Sequence, residues 1–194
     1  MAEHRFAPRH RSYGLRDKYR VMRYGQAARA CRSGDYSAAL RQIREAAAPP
    51  ASLGVDDFQG QASPRLDYYA GRILEKLGQP ADARQSFERA VSGLAQLSGD
   101  RDSWNSENFF MVPALEELGR SAEAASLRHR FENFALSERD SNNVHYRAEA
   151  RYLLALARKN SGRAEEAKAL IAEALAARPD LLPARLELRG DVID

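Results

Sequence analysis

The sequence contains little of what a disulfide scaffold, a membrane protein or a secreted protein needs. Its 194 residues include a single cysteine, Cys31, so no disulfide can form within the chain. No stretch approaches the roughly 20 apolar residues of a membrane-spanning helix. The first 20 residues are basic and lack the apolar segment of a secretory signal. We therefore expect a soluble cytoplasmic protein without membrane insertion.

Motifs for phosphate binding, nucleophilic catalysis and metal binding are also missing. The patterns GxGxxG, GxxxxGK[ST] and GxSxG do not occur, which excludes the common phosphate loops and the nucleophile elbow. The four histidines, His4, His10, His129 and His145, have no metal-ligand spacing, and one cysteine cannot build a zinc site. We expect no enzymatic activity, no catalytic residue, no cofactor and no metal.

What the sequence does contain favours helices. It is 44% hydrophobic and 29% charged, with abundant alanine, few β-branched runs and no Asn-Gly hairpin signal. Its length suits one ordinary domain or a short repeat array, and only the pattern along the chain distinguishes the two.

Four segments align on a glycine and thereby reveal a repeat. In three of them alanine follows the glycine at the fifth position, a large apolar residue at the ninth and alanine at the twelfth. These residues are Gly34, Ala39, Ile43 and Ala46; Gly78, Ala83, Phe87 and Ala90; and Gly162, Ala167, Ile171 and Ala174. The other segment keeps Gly119 and Ala124 but has Arg128 and Phe131 at the last two positions, so it is a degenerate copy.

The spacing has a mechanical meaning for a pair of helices. Glycine ends the first helix by adopting a left-handed backbone, which other residues resist. Asp35, Pro80 and Ser121 follow the glycines at N-cap or first-turn positions of the second helix. The small alanine lets the two helices approach closely, and the ninth and twelfth positions share one face.

This pattern resembles the tetratricopeptide repeat, with Pro179 at the place of that motif's closing proline. The glycines are 44, 41 and 43 residues apart, whereas the usual repeat is about 34, so we expect longer helices or the turn-rich loops 48–64, 98–103 and 137–143. A HEAT-like repeat of about 40 to 47 residues fits the period better but does not explain the glycine and alanine positions. The resemblance implies an all-α fold, an α-solenoid of about four antiparallel helix pairs with a C-terminal capping helix.

We divide the chain accordingly into an arm and a repeat domain. The arm is residues 1–15 and the tetratricopeptide-like domain residues 16–194, with pairs at about 16–48, 64–98, 103–137 and 142–178 and a cap at 180–190. Residues 1–32 hold nine Arg/Lys against two acidic residues, a balance of +7, which leaves the remainder at −4. The basic character therefore belongs to the N-terminal region.

A closer resemblance concerns the segments PPASLGVDDFQGQASPRLDYYAGRILEKLGQPADARQSFERAVSGL and HYRAEARYLLALARKNSGRAEEAKALIAEALAARPD. Together with the degenerate pair between them, they resemble the C-terminal tetratricopeptide tail of a bacterial family of large glycoside-hydrolase-like proteins of uncharacterised function. The resemblance covers roughly residues 20–188. The β-rich and catalytic-looking domains of that family are absent here, so no catalytic residue carries over.

An aromatic residue stands ten residues before each turn glycine: Tyr24, Tyr68, Phe109 and Tyr152. In tetratricopeptide arrays this position faces the concave groove, so the resemblance makes the four rings a candidate peptide-binding stripe, with Arg65, Arg72 and Lys159 nearby. The alternative is core packing, because the neighbouring positions are polar here: Arg23, Asp67, Asn108 and Arg151. Both interpretations stay open at this point.

The basic arm also has two interpretations. Clustered Arg and Lys suit phosphate contacts, which favours binding to nucleic acid or another anionic surface. The stretch contains no recognised nucleic-acid motif, however, so a solvated, partly disordered arm that becomes helical near Leu15 is the simpler expectation, and we rank nucleic acid as an unlikely partner.

The leading functional prediction is a protein-interaction scaffold that binds a peptide or protein segment in a concave helical groove. A second copy of the chain is one such partner. The alternatives are an accessory tail that docks onto a carbohydrate-processing enzyme, and anion binding through the arm.

Overall fold

The computed structural model describes residues 12–50, 63–97, 100–190 and 193. In this part of the chain the regular structure is entirely helical, as the pattern predicts. The α-helices are α1 Ser12–Arg32, α2 Tyr36–Ala47, α3 Pro64–Lys76, α4 Pro80–Ala90, α5 Met111–Glu117, α6 Ser121–Glu138, α7 Val144–Asn160, α8 Ala164–Ala177 and α9 Leu182–Leu188. Short 3₁₀ turns lie at Leu94–Gln96, Arg101–Ser103 and Asn108–Phe110.

The first eight helices form four antiparallel pairs joined by tight turns. Gly34, Gly78, Gly119 and Gly162 have φ angles of 79°, 72°, 73° and 75°, which confirms the left-handed turns predicted from their spacing. In each turn the glycine N–H bonds to the carbonyl three residues back, and the next N–H to the carbonyl five residues back, as in a Schellman motif. In the first turn Asp35 then caps α2 by accepting a hydrogen bond from the Ala38 N–H at 2.8 Å.

The repeated small and apolar positions form the interior of each pair. The alanines and large apolar residues of the three regular copies are at most 5% exposed. Helices α3 and α4 approach closely at Gly71, where a Cβ atom would lie 2.3 Å from the Phe87 ring. Packing therefore explains why this helical position carries no side chain.

The third pair departs from the pattern, as its degenerate sequence predicts. Its first helix, α5, has only seven residues and follows a 3₁₀ turn. Phe131 is fully buried and meets the Trp104 ring edge-on at 5.0 Å. Arg128 stays partly exposed and pairs with Glu116 at 3.0 Å. Trp104, which precedes the short helix α5, thus packs against α6 of the same pair.

The first helices of the four pairs lie side by side. The rings of Tyr24 on α1 and Tyr69 on α3 are 5.7 Å apart, Arg72 on α3 pairs with Glu117 on α5, and Asn160 on α7 donates to Glu116 on α5 at 2.9 Å. We call the surface that α1, α3, α5 and α7 share the inner face.

Helix α9, predicted as a cap on the last pair, packs against α8 and also reaches α1 at the other end of the array. It therefore lies across the inner face, which the repeat pattern alone does not indicate. The arm predicted over residues 1–15 lies outside the described residues, apart from the first turn of α1, which begins at Ser12.

Candidate binding surface on the inner face

The four aromatic residues of the predicted stripe differ in exposure. Tyr24, Phe109 and Tyr152 are 3%, 2% and 0% exposed, whereas Tyr68 is half-buried. This burial favours core packing for the first three rings in the conformation described here. Tyr68 retains a surface that a partner can reach, and its role in binding stays a prediction.

Tyr68 is the centre of an aromatic cluster. Its ring centroid lies 6.0 Å from Tyr69, 5.9 Å from Phe87 and 5.7 Å from Phe110. Burial raises the pKa of the Tyr68 hydroxyl to about 12, although the Arg72 guanidinium acts in the opposite direction. The phenol is therefore neutral at physiological pH and available as a hydrogen-bond donor.

A cavity of about 250 Å³ brings together four of the six predicted binding residues. Tyr68, Arg72, Phe109 and Lys159 all line it, and Glu187 of α9 closes one side. We call this space the aromatic cavity. It combines apolar walls with two cations, and the four predicted residues come from three helix pairs.

The cations of the aromatic cavity are held by ion pairs. Arg72 bonds to Glu117 and lies 3.4 Å from Glu75, and its side chain is 25% exposed. Lys159 lies 3.1 Å from Glu187 and is 40% exposed. Both groups therefore face carboxylates in a partly exposed position, where an acidic group from elsewhere could compete.

A second cavity, of about 480 Å³, lies between α1, the chain that precedes α5 and the start of α9. We call it the polar cavity. Three cations and three carboxylates line it: Lys18, Arg20, Arg178, Glu107, Glu149 and Asp180. Because the charges balance, this cavity has no built-in preference for an anion such as phosphate.

Arg65 contacts lining residues of both cavities, although it lines neither of them itself. Its side chain is 2% exposed, its Nε lies 3.1 Å from Glu107 Oε1, and its Nη2 donates to the Ser106 carbonyl at 3.1 Å. The guanidinium also lies over the Phe110 ring at 4.5 Å. Sequence reasoning placed Arg65 beside a groove, whereas the structure places it among buried groups that it holds together.

Glu107 and Tyr69 belong to this surface and were not predicted. Glu107 also accepts hydrogen bonds from Ser63 at 3.1 Å and from Tyr24 at 3.4 Å. It precedes a 3₁₀ turn in the degenerate copy, so no repeat offset could have indicated it. Tyr69 adjoins Tyr68 and is buried, as is Leu66. The spacing of three residues from Leu66, which places both on one helix face, is the signal that could have indicated Tyr69.

Among the described residues, no group of three or more His, Cys, Asp or Glu side chains is placed to hold a metal ion. Burial raises the pKa of the Cys31 thiol, which disfavours the reactive thiolate. None of the helices in the described ranges is long and apolar enough to cross a membrane.

Comparison with known proteins agrees with the helix-pair architecture. The family model described as Tetratricopeptide repeat matches residues 68–92 and 148–181, which cover parts of the second and fourth pairs. No curated protein matches the chain significantly. The resemblance to the tail of a glycoside-hydrolase-like family is not confirmed and, like cytoplasmic localisation, stays a prediction.

The matched segments cover most of two of the three helix pairs that carry the regular glycine and alanine positions. Tetratricopeptide repeats are generally protein–protein interaction modules, and they stack into arrays with extended surfaces. The sequence match and the architecture together support tetratricopeptide repeats in the second and fourth helix pairs.

Proposed function

We propose that the chain is a non-catalytic scaffold that binds a peptide or protein segment on the inner face, with the aromatic cavity as its first point of contact. The observation that carries this proposal is the convergence of Tyr68, Arg72, Phe109 and Lys159 on one cavity. These residues come from three different repeats, so a single bound segment would touch three helix pairs at once.

The chemistry of the cavity defines the segment that it suits. Aromatic and arginine side chains dominate binding hot spots because they desolvate a large area at small entropic cost. Phe109 would form the floor, Tyr68 a wall with a hydroxyl donor, and Arg72 and Lys159 the charged rim. A segment with one apolar anchor and an adjacent acidic side chain fits this arrangement.

The two cations also favour a partner that exchanges ion pairs with the chain over one that only adds a new contact. Each already faces a carboxylate of the chain, so an incoming acidic group replaces an existing ion pair. Exchange of this kind contributes more to orientation and specificity than to affinity. We therefore expect modest affinity with a clear preference for the acidic side chain at one position.

A displayed peptide library tests the proposal. The purified chain is screened, and selected peptides are measured against Tyr68→Ala, Arg72→Ala and the control Arg84→Ala, whose side chain is 67% exposed on α4. We expect about tenfold or greater weakening for the first two and no change for the control. Circular dichroism and urea unfolding of each variant separate lost binding from lost folding.

Two results would refute the proposal. One is a set of selected peptides that bind Arg72→Ala and the unaltered chain equally well. The other is that no reproducible peptide sequence is selected, either by the unaltered chain or by the variant Leu186→Ala/Glu187→Ala, which weakens the contacts of α9. If Tyr68→Ala unfolds the protein, its ring belongs to the core, and Arg72→Ala alone decides the test.

A further inference from the structure

Helix α9 occupies the middle of the inner face. On one side Leu186 packs against Gly25 of α1, where a Cβ atom would lie 3.2 Å from the leucine Cδ2. On the other side Glu187 pairs with Lys159 of α7 at 3.1 Å. Beyond the helix, the Gly190 carbonyl accepts a hydrogen bond from Arg32 at 2.9 Å. A seven-residue helix thus joins the first and last pairs.

The groups beneath α9 are those expected of a binding surface. Pro183, Leu186, Glu187 and Ile193 enclose a small void of about 10 Å³. On the opposite side this void is bounded by Tyr24, Arg65, Tyr69 and Tyr152. Two of these, Tyr24 and Tyr152, belong to the aromatic stripe predicted from the sequence. In this conformation α9 takes the place of a partner over them.

The contact between α9 and the inner face is imperfect. The Tyr152 hydroxyl is buried and has no hydrogen-bond partner among the described residues. The Tyr24 hydroxyl reaches Glu107 only at 3.4 Å. An unsatisfied buried hydroxyl under α9 weakens this contact, so we expect α9 to open more readily than the alanine-lined repeats.

The position of α9 also divides the surface. Leu182 and Pro183 at its start border the polar cavity, and Glu187 near its end borders the aromatic cavity. Movement of α9 away from the inner face would join the two cavities into one groove. It would also expose the four buried residues that bound the void.

We propose that α9 is an internal ligand of the inner face, and that the partner is a short helix with the same adjacent leucine and glutamate, which displaces α9. The partner's leucine takes the place of Leu186 against Gly25, and its glutamate takes the place of Glu187 at Lys159. This inference rests on the proposed function and specifies its partner class.

The experiment uses the full chain and a labelled synthetic peptide of residues 178–194. In the variant Leu186→Ala/Glu187→Ala the internal helix loses both anchors. The matched control is Leu188→Ala, also on α9 but 54% exposed. By fluorescence anisotropy we expect the double variant to bind the peptide about tenfold or more tightly than the unaltered chain, because its inner face is no longer occupied. The control should behave like the unaltered chain, and a peptide with Lys at the Glu187 position should not bind.

A second measurement needs no variant. In the unaltered chain, amide hydrogen exchange in α9 should be faster than in α7, because α9 opens without unfolding of the repeats. Equal exchange in the two helices would overturn the proposal and make α9 a permanent part of the core. Equal peptide affinity for the double variant and the unaltered chain, or no peptide binding by a folded double variant, would also overturn it.

The library screen separates this inference from the proposed function. If the inference alone fails, foreign peptides bind the unaltered chain and the double variant equally. If the proposed function fails, neither selects a foreign peptide, even though the double variant binds the peptide of residues 178–194.

Discussion

Lys159 on α7 and Glu187 on α9 form an ion pair at 3.1 Å in which the glutamate side chain is only 6% exposed. The carboxylate also lies close enough to Tyr69 and Tyr152 to contribute to raising the pKa of both hydroxyls, although burial is the larger cause. A nearly buried carboxylate depends on its cation, because an unpaired charge in this position carries a large desolvation penalty.

Substitution of Lys159 by Met should therefore loosen α9. We expect the free energy of opening for the amides of residues 184–188 to fall by about 1–3 kcal/mol in hydrogen-exchange measurements. The control is Lys168→Met, since Lys168 and its partner Glu165 are 65% and 85% exposed. It should change stability by no more than about 0.5 kcal/mol. Similar effects of the two variants would contradict this account of α9.

Substitution of Arg65 by Met should destabilise the whole fold. The variant leaves Glu107 and the Ser106 carbonyl without the guanidinium that satisfies them. Because Glu107 is 37% exposed, we expect a loss of about 2–3 kcal/mol in urea unfolding, less than for a fully buried pair.

Arg65→Lys should recover little of that loss, since an ammonium group cannot reproduce the planar contacts to the carbonyl and the Phe110 ring. The exposed Arg84→Met provides the comparison and should stay within about 0.5 kcal/mol. Full recovery with lysine would show that charge alone matters at this site.

Gly71→Ala should destabilise the second pair, although alanine normally favours a helix. The added methyl group would lie 2.3 Å from the Phe87 ring, so the ring or the helix must move. We expect a loss of about 1–3 kcal/mol in urea unfolding.

The matched variant Gly93→Ala meets only Met111 Cε, at 3.4 Å, and should cost less. Combination of Gly71→Ala with Phe87→Leu should give a smaller loss than the sum of the single changes, because the smaller side chain relieves the clash. Additive losses of stability would mean that Gly71→Ala does not act through a clash with the Phe87 ring.

Stability should fall in alkaline solution because of the tyrosines under α9. Burial raises the pKa of Tyr24, Tyr69 and Tyr152 above the usual 10.0. Above pH 10 the unfolded chain loses these protons while the folded chain keeps them. The free energy of unfolding therefore decreases as pH rises, by about 1.4 kcal/mol per pH unit for each tyrosine.

Urea unfolding at several pH values between 9 and 11 checks this prediction. Tyr152→Phe should reduce the downward slope by the share of one tyrosine. Absorbance at 295 nm should show these phenols ionising together with unfolding and not before it. A slope that Tyr152→Phe leaves unchanged would mean that its hydroxyl is accessible to solvent.

The local structure was predictable because its signals lie close together in the chain. A glycine such as Gly78 and the alanine five residues later specify a left-handed turn and a close helix contact, whatever lies elsewhere. The degenerate copy was also recognisable, since Arg128 interrupts the pattern and its side chain stays partly exposed. The exposure of the aromatic residues could not be predicted, because the repeat period indicates that they share a face but does not indicate what covers that face.

The sequence by itself determined the helix pairs and their turns, because the residues 5, 9 and 12 positions after each turn glycine need no information from distant segments. Only the tertiary structure decided which aromatic side chains stay accessible. That outcome depends on α9 and the turn after it, where Leu186 meets Gly25 and Gly190 accepts a bond from Arg32, about 160 positions away. Such contacts depend on the curvature of the whole array, which brings its ends together, and no local pattern encodes that curvature.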